Sequence, residues 1–328
     1  MQLLYAVLAL TTSCLAASHT SAPAGALIVG SGGYGTIQAA VNALSSATES
    51  AQTIFIKPGT YKELVAIKKL AGPLTIYGYT EDTSSYSANR VIITAANSAA
   101  SAGGDDASGT LRVETSKGFK MYNINVVNSY GPGSQAIAVS ANADNQGYYA
   151  CSFTGYQDTL RAAKGHQLYA KCYIEGAIDF IFGKTASAWF DSCDIGVLPQ
   201  SSQGAITASG RSSADSSYYV FNKATIAAAH GQSVAAGTYY LGRPWGDYAR
   251  VAFQYSSMSS VVNAAGWQVW DSGDERTGHV MLAEYRNTGT GAKGQRARFA
   301  TTLSRALVIG EILGGGYASA VYVDTSYL

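Results

Sequence analysis

Three cysteines, Cys151, Cys172 and Cys193, recur at intervals of 21 residues, and their neighbours keep the same register. Tyr148, Tyr169 and Phe190 precede them in step. Phe153, Ile174 and Ile195 follow in step, and Gly155 matches Gly176. A fixed period of roughly 20 to 50 residues is the mark of a solenoid, in which each turn buries its apolar face against the next. The units are short alternating stretches of aromatic and β-branched residues, so the turns are built from strands rather than helices. Phe119 to Val126 looks like the same unit with a longer connection, and Thr53–Ile56, Leu74–Tyr77 and Arg90–Thr94 are further strand candidates. A weak repeat with variable loops fits a parallel β-helix better than a propeller. The three cysteines then stack inside it, one per turn. Small and often fully buried, they read as a ladder of free thiols. A strand spacing of about 4.8 Å also leaves a disulfide between adjacent turns open.

Composition agrees with many short strands and tight turns. Only 13% of residues are charged, while glycine (36) and tyrosine (23) are abundant. The net charge of +1 and the lack of a basic run argue against nucleic acid or an anionic membrane surface as partners. Helical signal is confined to one short segment. Thr36 caps a stretch in which Ile37, Ala40, Val41 and Leu44 follow helical spacing, as expected of a cover over the solenoid's N-terminal end. Residues 1–17 read as a secretory signal, with an apolar run from Leu3 to Leu10 and small residues at Ala16 and Ala17. The run breaks at Thr11-Thr12-Ser13, too short for a span of about 20 residues. The expectation is an extracellular protein whose residues 18–328 form one domain, with no composition shift or linker dividing it.

Asp158 and Asp179 also lie 21 residues apart. They therefore occupy equivalent positions on neighbouring turns, with backbones about 4.8 Å apart. Two carboxylates that close repel, so one tends to stay protonated while the other ionises. Such a pair can supply a nucleophile and a general acid together. Spacing alone leaves an idle pair of solvated turn aspartates equally open.

The surrounding segments narrow the choice. Asp158 lies in Tyr156-Gln157-Asp158-Thr159-Leu160, and Asp179 opens Asp179-Phe180-Ile181-Phe182-Gly183. Gln135-Ala136-Ile137-Ala138-Val139-Ser140 lies upstream, Leu241-Gly242-Arg243-Pro244-Trp245 downstream, and Gly59-Thr60-Tyr61-Lys62-Glu63 near the start. These five segments, in this order, resemble the signature set of the pectin methylesterases (pectinesterases, carbohydrate esterase family 8), in their short single-domain secreted form. The resemblance implies a right-handed parallel β-helix acting on the methyl esters of pectin as a monomer. By motif match it implies Asp179 as nucleophile, Asp158 as general acid and base, Gln135 and Gln157 as oxyanion donors, and Arg243 as partner of Asp179. Trp245 matches an aromatic that lines the sugar subsites, Phe182 is placed where it could do likewise, and Thr110 is a further substrate-binding candidate. No cofactor or metal is implied. Gly59–Glu63 reads as structural, with Glu63 expected to pair with a nearby base.

Other classes fit less well. A galacturonan hydrolase also uses paired carboxylates, but neither Gly165-His166-Gln167 nor His279-Val280 matches the Gly-His-Gly segment expected of one. A lyase needs clustered acidic groups for Ca²⁺. The dense acidic spots at Asp105-Asp106 and Asp271/Asp274-Glu275 read as loop charges. The four histidines lack metal-ligand spacing. A non-catalytic polysaccharide-binding β-helix would carry the aromatics without the aspartates, glutamines and arginine.

Overall fold

The computed structural model describes residues 17–328. All but the last residue of the segment read as a secretory signal therefore lie outside the described residues. The described chain winds as a parallel β-helix whose strands fall into sheets of eleven, eight and seven, with neighbours in each drawn from successive turns. Val139 lies opposite Leu160, Gln146 opposite Gln167, and Ser152 opposite Tyr173. All three sheets thus advance by 21 residues per turn in this region, as the cysteine spacing requires. Strands also form at Gln52–Ile56, Leu74–Gly78 and Val91–Ala95, each within a residue of its expected place.

The interior is filled by columns. Tyr148, Tyr169, Phe190, Phe221 and Phe253 stack with ring centroids 5.0, 4.6, 4.3 and 4.3 Å apart. The buried tyrosine hydroxyls need partners, and the same turn supplies them. Tyr148 donates to Gln146 Oε1 at 2.9 Å and Tyr169 to Gln167 Oε1 at 2.7 Å. The three cysteines are buried and free. Each thiol donates to a carbonyl one turn back, Cys151 to Met121 (3.5 Å), Cys172 to Tyr148 (3.4 Å) and Cys193 to Tyr169 (3.4 Å). Burial pushes the Cys172 thiol well up, which keeps it protonated and inert. The column is a thiol ladder and not a disulfide.

One corner of each turn is left-handed. Ala150, Lys171 and Ser192, each just before a cysteine, have φ of 47°, 53° and 51°. A single αL residue costs an L-amino acid about 1–2 kcal/mol, which the fixed ladders on either side offset.

The helix at the N-terminal end spans Ile37–Asn42, and Thr36 caps it by accepting from the Ala39 N–H. Among the described residues, Glu63 does not pair with a base. Its two carboxylate oxygens accept the N–H groups of Ile37 and Gln38 at 2.8 and 2.9 Å. Those donors are orphaned by helix geometry and carry partial positive charge, so a carboxylate satisfies them better than it would a distant lysine. A second apolar cluster lies outside the eleven-stranded sheet. There Ile312, Leu313, Tyr322 and Tyr327 from the C-terminal segment cover Tyr122, Tyr149, Leu168 and Trp189. Among the described residues no helix is long and apolar enough to cross a membrane.

Candidate active site

The seven-stranded sheet carries the site. Five of its strands, Val139–Ala141, Leu160–Ala162, Ile178–Gly183, Gly204–Ser209 and Tyr239–Pro244, are neighbours in that order, the last at one end of the sheet. A cleft of about 290 Å³ lies over them, lined by Asp105, Gln135, Gln157, Asp158, Asp179, Phe182, Ala208, Arg243, Trp245 and Trp270.

Asp158 and Asp179 come together as the spacing requires. Leu160 pairs with Ile181 and Gln157 bridges Ile178, so the two aspartates occupy matching rungs. Both sit at φ values of 64° and 50°, a second left-handed corner on successive turns. Aspartate tolerates this region better than most residues because its short polar side chain bonds locally. At Asp179 the register against the next strand slips between Ile178 and Ile181. This bulge re-aims the side chain. The corner thus turns both carboxylates toward the cleft while leaving each only 7% exposed.

Their surroundings set them apart. Arg243 grips Asp179 with both arms, Nε to Oδ1 at 2.8 Å and Nη2 to Oδ2 at 2.6 Å. A bidentate guanidinium favours the carboxylate form and fixes its plane. Its own face lies over Trp270, 4.6 Å from the ring centroid, and Nη1 donates to the Trp270 carbonyl at 3.4 Å. Asp158 has no such clamp. Burial pushes its pKa up to about 8, and the negative charges of Asp179 and Asp105 push the same way against Arg243. Burial outweighs the like charge that the sequence suggested as the cause.

Gln135 and Gln157 border the same space. Their backbones are tied down, Gln135 O accepting from Ala99 N–H at 2.8 Å and Gln157 O from Ala136 N–H at 3.1 Å. Among the described residues, neither side-chain amide donates to a protein acceptor, which leaves both free to donate into the cleft. Phe182 is buried beside Ile137 and Ala208, and Trp245 packs on this cluster with its ring 6.3 Å from that of Phe182.

One candidate is misplaced. Thr110 is fully buried, and its hydroxyl donates to the Val127 carbonyl at 3.1 Å. It supports the wall of the solenoid and does not reach the cleft. Two cleft residues carried no usable signal. Asp105 read as a loop charge, and Trp270 lies beyond the repeat, in a segment without period. Asp106 is indeed a structural charge, accepting from Arg161 at 2.7 Å and Ser140 at 2.6 Å. Among the described residues, no group of three or more His, Cys, Asp or Glu side chains is clustered to hold a metal ion.

Fold and cleft together define a β-helical hydrolase whose cleft holds a pair of carboxylates in different electrostatic surroundings. Comparison with known proteins makes this specific. The pectinesterase family model matches residues 27–305. Pectinesterases of Aspergillus niger and Aspergillus aculeatus are each 52% identical over 320 residues, 96% of this chain and 96% of theirs. The crystal structure of the Aspergillus niger pectin methylesterase superposes with a TM-score of 0.88 at 44% identity, covering 95% of this chain and 100% of that one. The carrot pectin methylesterase gives 0.80 at 28% identity, covering 92% and 97%. The chain belongs to the pectinesterase family and is a carboxylic ester hydrolase.

Proposed function

We propose that this enzyme removes the C6 methyl esters of homogalacturonan in pectin, releasing methanol through an aspartyl acyl-enzyme. The observation that carries the reading is the contrast within the pair, Asp179 clamped by Arg243 and Asp158 protonated up to a pH of about 8. The Asp179 carboxylate attacks the C6 carbonyl. The tetrahedral oxyanion accepts from the amides of Gln135 and Gln157; removing one such donor costs on the order of 100-fold in rate. As the C–OCH₃ bond breaks, Asp158 gives its proton to the leaving oxygen, and methanol departs from an Asp179–galacturonyl anhydride. Asp158, now ionised, takes a proton from water. The resulting hydroxide attacks the C6 carbonyl of the anhydride, freeing the uronic acid and restoring the Asp179 carboxylate. Trp245 and Phe182 line the bed on which sugar rings lie.

The reading extends to the setting. The enzyme is read as a monomer, which the molar mass of the purified protein in solution checks. The apolar start of the sequence supports export, with a mature protein beginning near Ser18 and running as one domain to Leu328. N-terminal sequencing of secreted protein checks this; an intact Met1 speaks against it. The catalytic reading is tested by supplying highly methylated pectin and following methanol, reducing ends and unsaturated products together. Methanol alone is expected, and Asp179→Ala lowers its release by roughly 10⁴-fold or more. New reducing or unsaturated ends, or an Asp179→Ala variant that keeps its rate, would overturn it.

A further inference from the structure

Arg243, the partner of Asp179, stands where the sheet gives out. Its strand, Tyr239–Pro244, is the end strand, with Gly204–Ser209 as its one neighbour in the sheet. On the open side a later stretch of chain follows it for a short way. Leu241 N–H donates to the Gly266 carbonyl at 2.7 Å, and Gln268 N–H to that of Gly242 at 3.1 Å. This support stops one residue before Arg243. Residues 269–280 then make a tight excursion, in which Asp271 and Asp274 exchange backbone hydrogen bonds at 3.2 Å and Trp270 N–H donates to the Glu275 carbonyl at 3.3 Å. Near its far end the His279 ring stacks on Tyr248, 4.6 Å between centroids. Among the described residues, only two hydrogen bonds tie the excursion to the rest of the chain, and each comes from an arginine. Arg243 Nη1 donates to the Trp270 carbonyl, and Arg276 Nη1 to the Trp245 carbonyl.

Arg276 makes two further contacts. Its Nε and Nη2 both donate to Asp274 Oδ2, at 2.9 and 2.7 Å. Its guanidinium also lies over the Trp270 ring, 4.9 Å from the centroid, and Arg243 lies over the same ring at 4.6 Å. One indole thus holds two guanidinium groups, each drawn to its aromatic face. Arg276 reaches this place from a backbone at φ 53°, in the left-handed region that L-residues avoid. Folding stability does not account for the arrangement, because an ion pair whose side chains are 27% and 53% exposed contributes little. Its effect is geometric. Arg276 fastens the chain just past Arg243 to the segment whose ring and carbonyl Arg243 rests on, and it does so without lining the cleft itself.

We propose that Arg276 is a positioning residue for the reaction, fixing Trp270 against Arg243 and thereby the plane of the Asp179 carboxylate. This rests on the esterase reading, in which Asp179 is the nucleophile. A misplacement of about 1 Å at a reacting group can cost on the order of 100-fold in rate. Arg243 has backbone support on one side alone, so its aim depends on what Trp270 is fastened to. Loss of Arg276 therefore lowers kcat and leaves the affinity for pectin nearly as it was.

The test measures methanol release from highly methylated pectin by wild type, Arg276→Ala, Trp270→Leu and the double variant. Arg276→Ala is expected to lower kcat by roughly tenfold while KM changes by no more than about twofold. The double variant should be no slower than Trp270→Leu alone, because Arg276 acts through that ring. Arg276→Lys keeps the charge but not the planar fork, and should recover little of the loss. A kcat within about twofold of wild type in Arg276→Ala, or losses that multiply in the double variant, would overturn the proposal. If Arg276→Ala does not fold, Asp274→Asn takes its place: freeing the fork should lower kcat by roughly threefold, and an unchanged kcat counts against the proposal. A crystal structure of the same variant needs no turnover. There the Trp270 ring is expected to draw away from Arg243, and an unmoved pair overturns the proposal. A wild type that released no methanol would sink the esterase reading, while this arm still decided what Arg276 holds in place.

Discussion

Asp158 is carried uncharged in the fold at a cost that can be measured. Below its unfolded pKa near 3.8 the group is protonated in both states and does not affect their balance. Between there and its folded value of about 8, the unfolded chain ionises while the native protein does not. Each unit across that window shifts the balance toward unfolding by about 1.36 kcal/mol, of the order of several kcal/mol by pH 8. Asp158→Asn, which does not titrate, should therefore melt above wild type at pH 8 and much less so at pH 4, while losing methanol release. Thermal unfolding of both proteins from pH 4 to 8 checks this; parallel curves would mean that Asp158 ionises freely. The same titration sets an alkaline limb near pH 8 on wild-type kcat/KM, as the acid form disappears. At this scale the sequence was uneven. Spacing paired the two aspartates, and motif resemblance assigned Arg243 to Asp179. Thr110 shows the limit of reading a residue type without its burial. Asp105 shows the converse, since a loop charge reaches a cleft only through a fold that composition does not reveal.

The element that does most for the site is strand Ile178–Gly183, which holds Asp179 at its bulge and Phe182 near its end. Its last residue has no room for a side chain. At Gly183, with φ of 146°, a Cβ would lie 1.9 Å from the Ala162 carbonyl oxygen and 2.6 Å from the Tyr219 hydroxyl. That hydroxyl donates to the same carbonyl at 2.7 Å, so neither group can yield cheaply. Gly183→Ala should displace the strand, lowering urea stability by about 1–3 kcal/mol and kcat by roughly tenfold or more. Equilibrium unfolding and methanol release measure both, and a variant with wild-type midpoint and rate would show that the approach is relaxed. Strands of this kind were legible because alternation and the 21-residue step reinforce each other. The bulge was not. It is a two-against-one count that exists only relative to the neighbouring strand Gly204–Ser209, after a connection of a different length. The N-terminal helix was legible through its threonine cap, whereas Glu63 was misread because its partner is a pair of backbone donors.

For the molecule as a whole, the repeat foretold the solenoid but not what closes its side. The C-terminal segment lacks period and carries few helix signals, yet Ile312, Leu313, Tyr322 and Tyr327 shield the outer face of the largest sheet. The tyrosines there are tied in from far along the chain, as when Tyr122 donates to Asp324 at 2.9 Å. Such contacts depend on surfaces that exist only after the turns have stacked. Leu313, 5% exposed, is the test point. Leu313→Asp buries an unpaired charge, and the segment should undock, costing about 2–4 kcal/mol in urea unfolding and raising binding of a hydrophobic dye. An unchanged midpoint would mean that this cover contributes little. The thiol ladder has a consequence of another kind. Cys151, Cys172 and Cys193 sit in the stretch of successive turns that also carries the two aspartates, and they are sealed from solvent. An alkylating reagent reaches them only when those turns part. The enzyme thus contains its own clock for local opening, one that ticks without denaturant and reads the very segment on which its chemistry depends.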